Sequence, residues 1–307
     1  MSMQLRAYRY FHEVAKCNSV REAAKRLHVA PTAISKQIEH LEHEFKTQLL
    51  ERGPRGVSLT AEGAFLAERI AVILNQLSQV NSFLAERRGI VAGTLSIHAS
   101  EGLVPGLLSP VVREFVRAYP DVNITIAVGT AEQTLNSLVT GTADVGLAFY
   151  VPDRPGVERL CSVHINHCAV FHESHPLAKL ETLDILLLAK EPVAVPSSEF
   201  NTRSTIERSM QCHGIEFKPK WITSSLETQI SLAFNGVAVL ILPATAIDES
   251  FARLGLKAVP IADEVLGTVR VDVCRYKHKS STKLVETFCD FLTRSVQSLP
   301  IGIGNGQ

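Results

Sequence analysis

Ser19 to Glu44, SVREAAKRLHVAPTAISKQIEHLEHE, decides how this chain is read. Ser19 with Glu22 three residues on is the pattern of a helix start, a hydroxyl N-cap closed by a reciprocal carboxylate. Ala23, Ala24 and Leu27 give that helix a small apolar inner face, which lets a second helix come close. His28, Val29 and Ala30 make the turn, with Val29 filling the gap. Pro31 suits the first position of the next helix, where a missing N–H costs nothing. Ile34, Ile38, Leu41 and Phe45 then recur at helical spacing as a buried stripe. Thr32, Ser35, Lys36 and Gln37 fall off that stripe. Short hydroxyls, a cation and an amide are the side chains that meet phosphates and base edges. Two helices joined in this way lay the second into a DNA major groove. The candidate DNA contacts are Arg21, Pro31, Thr32, Ser35, Lys36 and Gln37.

The flanks extend the pattern. Upstream, Leu5, Tyr8, Phe11, Val14 and Ala15 form another helical stripe. Downstream, RGPRGVSLT (52–60) reads as a short hairpin or wing, with Arg52 and Arg55 at its tip as further DNA contacts. Residues 1–60 are therefore expected to form a winged helix-turn-helix domain.

At this point the chain resembles the LysR-type transcriptional regulators. The resemblance is carried by AAKRLHVAPTAISKQIEHLEHEF (23–45) and LLERGPRGVSLTAEG (49–63), and it extends over nearly the whole length. Family members usually carry Ser-Gln where this chain has Ala30 and Pro31, and a glycine where it has Lys46. The resemblance implies a regulator that binds a pseudo-palindromic operator in double-stranded DNA as a homodimer or homotetramer and answers to a small-molecule effector.

Thr60 is a good N-cap and Glu62 follows in the first turn. From there Leu66, Ile70, Ile73, Leu77, Val80 and Leu84 alternate between steps of four and three, a coiled-coil seam. A helix over 61–88 would run ~42 Å, and the seam is expected to hold a dimer. Gly89 and Gly93 bracket a hinge at 89–93.

From Thr94 the texture changes to alternating strands and helices: TLSIHA (94–99), a helix over 103–119, VNITIAVG (122–129), a helix over 132–140, and ADVGLAF (143–149). A second set follows: a long irregular strand near 165–171, a helix near 182–188, PVAVP (192–196), a helix from Thr202, WIT (221–223), a helix from Leu226 and VAVLILP (237–243). TVRVDVC (268–274) and a helix over 282–298 return at the end. Alternation of this kind gives parallel sheets covered by helices. The fold class is α/β overall: an all-α winged helix-turn-helix with a long linker helix, then a two-lobed α/β effector domain like that of periplasmic binding proteins, over 94–300. Lobe I takes about 94–163 and 267–300, and lobe II about 164–266. GTLSIHA, YPDVNITIAVG, GTADVGLAF, HPLAKLETL and GVAVLILP resemble the family's effector-binding half, although Ala238 stands where many members have a second glycine. The tail, 301–307, is expected to be disordered.

Open α/β sheets bind ligands beyond the C-terminal ends of their strands, where helix N-termini offer free N–H groups. Four such junctions carry hydroxyls: Ser100, Thr130, Ser197-Ser198 and Ser224-Ser225. All should converge on a cleft between the lobes, with Ser100 and Ser198 as the foremost contacts. Arg203 could pair with a carboxylate and Glu101 could meet an ammonium group, so the effector is expected to be a carboxylate or an amino acid.

Other function classes find little support. The alternative reading is a cytosolic solute-binding protein or enzyme with an accessory helical domain, but no nucleophile–base motif, phosphate loop or metal spacing is present. Constitutive architectural DNA binding is a third reading. His164, His167, Cys168, His172 and His175 are dense, but strand alternation splits them between two faces, so no metal site and no cofactor are expected. The six cysteines lack CxxC spacing and most should be buried thiols. Residues 1–93 hold 13 Lys and Arg against 9 Asp and Glu, and the remainder 18 against 22, giving a basic front and an acidic rear. No signal peptide or apolar run of membrane length is visible, so the chain is expected to be cytoplasmic, without a membrane partner.

Overall fold

The computed structural model describes residues 3–53, 56–87, 91–277 and 281–299. The chain divides into two compact units, Met1–Asn81 and Ser82–Gln307.

The first unit opens with three helices, α1 (Met3–Cys17), α2 (Val20–Arg26) and α3 (Pro31–Phe45). Ser19 Oγ accepts from the Glu22 amide at 3.3 Å. The expected capping box is only half closed among the described bonds, because Glu22 faces Lys25 and Arg26, at 3.6 and 3.9 Å. His28 holds the turn at φ 52° and Pro31 sits at the first position of α3. Ile34, Ile38 and Leu41 are buried against Phe11, Val14, Ala23 and Ala24. Two stripe assignments change. Ala7, rather than Ala15, is the fully buried alanine of α1, and Phe45 is 42% exposed. Phe45 ends α3, and at Lys46 the backbone turns away through φ 53°.

Lys46 occupies the left-handed position that a glycine usually fills after a helix. A side chain there costs about 1–2 kcal/mol, and glycine recovers this at about 0.5–1 kcal/mol of lost chain entropy. Lys46→Gly should therefore raise stability by roughly 0.5–1 kcal/mol, read as a higher urea midpoint with an unchanged m-value. An unchanged or lower midpoint would show that the turn carries no strain.

The wing is a hairpin of β1 (Leu50–Gly53) and β2 (Gly56–Leu59), paired from Leu50↔Leu59 to Gly53↔Gly56. Its root is fixed by Glu42, whose Oε1 accepts from the amides of Leu49 (2.9 Å) and Leu50 (3.2 Å). Thr60 caps the long α4 (Ala61–Glu86): its Oγ1 accepts from the Gly63 amide at 2.9 Å and donates to Gln48 O at 2.8 Å.

The seam expected on α4 divides. Ile70 is fully buried in the head core, and Leu66 packs against the same core. Leu77 is half-buried, while Ile73, Val80 and Leu84 are exposed together with Phe65 and Phe83. The first turns of the helix thus complete the head, whose compact unit runs on past the expected limit at residue 60. Val91, Ala92 and Gly93 of the expected hinge are described, and Gly93 begins the first strand of the second unit; residues 89–90 and the tail 301–307 lie outside the described residues.

In the second unit, β3 (Gly93–Ala99), α5 (Ser109–Ala118), β4 (Val122–Val128), α6 (Ala131–Thr140) and β5 (Val145–Phe149) form a parallel βαβαβ run with strand order β4-β3-β5. Residues 101–108 are tight 3-10 and wide π turns rather than regular helix, so the helix expected from 103 starts at Ser109. Next come β6 (Val157–His172), β7 (Leu183–Asp184), α7 (Ile185–Leu188), β8 (Val193–Val195), α8 (Asn201–Cys212), β9 (Trp221–Ile222), α9 (Leu226–Phe234), β10 (Val239–Pro243), α10 (Glu249–Arg253), β11 (Leu256–Ala262), β12 (Thr268–Tyr276) and α11 (Lys283–Gln297).

The lobes share one strand. β6 pairs with β12 over Val157–Asn166, then with β10 and β11 from His167 and Cys168 onward. It runs 16 residues, the long strand expected near 165–171, and starts eight residues earlier, at Val157. Lobe I buries Phe115 edge-on against Phe288, with ring centres 5.1 Å apart. Lobe II covers both faces of its sheet, with Phe171 and Ile206 on one side and Leu240 and Phe251 on the other. Where β5, β6 and β12 meet, buried Asp272 takes Arg159 Nε (3.2 Å), Arg270 Nε (3.0 Å), Ser162 Oγ (2.6 Å) and the Val151 amide (2.9 Å). Its charge is thereby matched and its lone pairs filled, as a buried carboxylate requires.

Candidate functional site

Two places in the chain have the build of a site. The first is the outer face of α3. Burial of Ile34, Ile38 and Leu41 leaves Thr32 and Lys36 exposed and Ser35 half-buried on the other side, with Pro31 and Arg21 also exposed. Ala30 offers α3 no side-chain cap, Pro31 has no N–H and the Ala33 amide donates to Ala30 O at 3.0 Å, so the Thr32 amide is the first-turn N–H left for a phosphate oxygen. Gln37 differs from expectation: its Oε1 is enclosed and has no partner, so the amide turns partly into the head. The Arg52 backbone pairs with Val57 on the wing; its side chain, and Arg55, lie outside the described residues.

The second place is a cleft between the lobes of the second unit. In each lobe the strand order reverses once, at β3/β5 and at β8/β10. Such reversal points open a crevice beyond the strand ends. Ser100 and Glu101 follow β3, and Phe149 ends β5. Pro196 follows β8, and Pro243 ends β10. Thr130 and Ser224, beyond the outer strands β4 and β9, also line it.

Four of the eight residues expected at the cleft therefore line it: Ser100, Glu101, Thr130 and Ser224. The other four are held elsewhere. Ser198 is exposed and is not among the lining residues. Arg203 bonds Glu207 Oε1 at 2.6 Å, one helical turn along α8. Ser225 is spent capping α9, accepting from the Thr228 amide at 3.1 Å. Ser197 stands behind Ser224: the two oxygens are 2.9 Å apart, and Ser197 donates to Glu199 at 3.0 Å. Ser224 must then donate to Ser197, which leaves its lone pairs for an incoming donor.

Residues with no hydroxyl signal complete the lining: Phe149, Phe200, Asn201, Leu226, Gln229 and Leu242 among them. Gln229 is 4% exposed; its Nε2 donates to Thr223 O at 3.1 Å and its Oε1 has no partner. The α6 end at the cleft is closed by a full capping box between Thr130 and Gln133. The α8 end, with Phe200 at the N-cap, has no side-chain cap.

The histidine-rich strand is dispersed. His167 is fully buried, with Nδ1 2.6 Å from Leu266 O, and burial lowers its pKa to about 4. His172 meets Ser174 at 2.7 Å, and His175 stacks on Phe171 and lies 3.4 Å from Glu191. No group of three or more metal-ligating side chains occurs among the described residues. All six cysteines are free thiols. Three of them are buried, fewer than expected: burial pushes Cys168 up to about 11, and Cys274 and Cys289 up to about 12. Cys17 and Cys161 are half-buried and Cys212 is exposed.

No helix among the described residues is long and apolar enough to cross a membrane. Residues 5–64 match the model of bacterial regulatory helix-turn-helix proteins of the lysR family, and residues 88–297 match the LysR substrate binding domain. The HTH-type transcriptional regulator BenM of Acinetobacter baylyi is 31% identical over 268 residues, covering 85% of this chain and 86% of BenM. TcbR of a Pseudomonas species, another HTH-type transcriptional regulator, is 26% identical over 96% of this chain and its own full length. In fold, the chain resembles full-length CbnR crystallised with its target DNA, with a TM-score of 0.71 at 24% identity, covering 96% of this chain and all of CbnR. The chain belongs to the LysR family of bacterial helix-turn-helix transcriptional regulators.

Proposed function

We propose that this regulator acts as a cytoplasmic homodimer or homotetramer, without enzymatic activity, that reads a pseudo-palindromic operator through α3 and the wing. The carrying observation is the division of α3 into a face buried in the head and an outer face bearing Thr32, Ser35 and Lys36. Arg21 and the Thr32 amide at the start of α3 supply phosphate contacts. Gln37 is assigned a smaller part, because its oxygen is enclosed. The exposed apolar residues of α4 (Ile73, Val80 and Leu84, with Phe65 beside them) are the dimer surface, while Leu66 and Ile70 serve the head. Two copies joined in this way present two recognition helices to two half-sites. A small molecule bound between the lobes favours whichever lobe arrangement it contacts better, and so biases how dimers engage DNA.

Lys36 tests the DNA assignment. Its side chain is exposed on α3, so its removal should leave the fold intact. Lys36→Ala should weaken operator binding, and the slope of log affinity against log salt should fall by about one per subunit if the contact is to phosphate. Isotherms over a range of salt concentrations would read both. Unchanged affinity and slope would take Lys36, and this face of α3, out of the interface.

A further inference from the structure

We propose that the molecule held between the lobes is an α-amino acid with an apolar side chain. Its ammonium group is matched to Glu101 and the Gln229 carboxamide oxygen, and its carboxylate to the first turn of α8. The proposal rests on the cleft reading above and names the ligand class for it.

Charge comes first. Among the described residues that line the cleft, Glu101 is the one with a charged side chain, and no ion-pair partner meets it. A simple carboxylate entering this space would meet a like charge with no arginine or lysine to offset it. An ammonium group is attracted to it instead.

The second observation is Gln229. It is almost completely buried at the cleft wall, and its Nε2 is committed to Thr223 O. That bond fixes the amide, so the orphaned Oε1 is an acceptor in want of a donor. A buried acceptor left unmade is costly, and an N–H brought by the ligand relieves it. Ser224 Oγ, which gives its proton to Ser197, is a second acceptor on the same wall.

The carboxylate has one open place. Of the three regular helices whose N-termini reach the cleft, α6 is closed by Thr130 and Gln133 and α9 by Ser225. At α8, Phe200 has no side-chain oxygen, and Asn201 and Thr202 present first-turn amides to the cleft. An anion there meets free N–H groups and the positive end of a twelve-residue helix. The remaining walls, Phe149, Leu226, Leu242 and Pro243, are apolar and suit a hydrocarbon side chain.

The test uses the full-length protein. The twenty standard amino acids at millimolar concentration are screened by thermal shift. The best binder is then compared by calorimetry with its own decarboxylated amine and deaminated acid; for leucine these are 3-methylbutylamine and 4-methylpentanoate. At least one apolar amino acid should raise Tm and bind tenfold or more tighter than either truncated analogue. Glu101→Gln should cost the amino acid at least tenfold and should leave the acid's affinity unchanged or raise it. Among the described residues the Glu101 side chain makes no hydrogen bond or ion pair, so this variant should fold normally. Failure of all twenty, or an acid that binds as tightly as the amino acid, overturns the ligand class. So does a Glu101→Gln variant with unchanged amino-acid affinity. An acid that binds, loses binding in Ser100→Leu and alters operator affinity would remove the amino acid and keep the cleft. Amino-acid binding that survives Ser100→Leu, which fills the cleft, would remove the cleft itself.

Discussion

Gly63→Ala should unfold the DNA-binding head. A Cβ on residue 63 would stand 2.0 Å from Leu49 O and 2.9 Å from its carbonyl carbon. Leu49 O is already engaged, accepting from the Thr60 amide at 3.1 Å. Gly63 in turn gives its amide to Thr60 Oγ1. The root of the wing and the start of α4 therefore cross at a point with no room for a methyl group. Neither neighbour can yield cheaply, because both are backbone and Leu49 is itself buried. Overpacking a well-packed core typically costs about 1–3 kcal/mol, and a clash with backbone on both sides belongs at or above the top of that range. A loss of about 3 kcal/mol or more is expected, a large part of the stability of a small domain. Urea unfolding of the full chain should show the head melting early, with operator binding lost at urea concentrations where the second unit stays folded. A Gly63→Ala protein with wild-type stability would mean that the crossing is looser than described.

Acid should loosen the second unit through His167. Buried without a partner for Nε2, this imidazole has its pKa lowered from 6.5 to about 4, with desolvation outweighing the bond to Leu266 O. Between pH 6.5 and 4 the unfolded chain binds the proton and the folded chain does not. Stability is therefore complete above pH 6.5, declines as pH falls through that window, and levels off below about 4. The loss attributable to this group is about 2 kcal/mol at pH 5 and about 3 kcal/mol at the lower limit. His12 in the head is also lowered to about 4, again chiefly by burial, so the whole protein carries more than one such contribution. The His167→Gln variant isolates the one in question. Measured at pH 7.5 it should be less stable than the wild type. Measured at pH 5 the gap should shrink by about 2 kcal/mol. A gap that stays constant between the two pH values would show that His167 does not titrate in this window.

The elements that were legible in the sequence are those whose neighbours lie close along the chain. The periodic stripe Ile34–Ile38–Leu41, the caps Ser19 and Thr60, and the βαβαβ alternation each follow from local patterning, and each appears at its expected place. Long-range pairing was not legible. The strand β11 contains Pro260 and has no local strand signature, because a proline normally argues against a strand; Pro260 pairs with Cys168 in a ladder that only the folded chain brings together. The first half of β6, with Arg159, Ser162 and His164, reads as irregular until β12 lies beside it.

The site divides in the same way. Sequence determined that hydroxyls follow the strands of both lobes, since strand ends and helix starts are local features. It could not determine which of those hydroxyls faces the cleft. That depends on side-chain direction after folding: Ser225 turns back to cap its own helix, while Ser224, one residue earlier, faces the opening. Gln229 and Phe149 carry no local mark at all, being ordinary residues of a helix and a buried strand. Likewise the apolar repeat of α4 was fixed by sequence. Its division into Ile70, which serves the head, and Ile73, which remains exposed, was decided by tertiary packing, because three residues along a helix turn a side chain by most of a revolution but not onto the same neighbour.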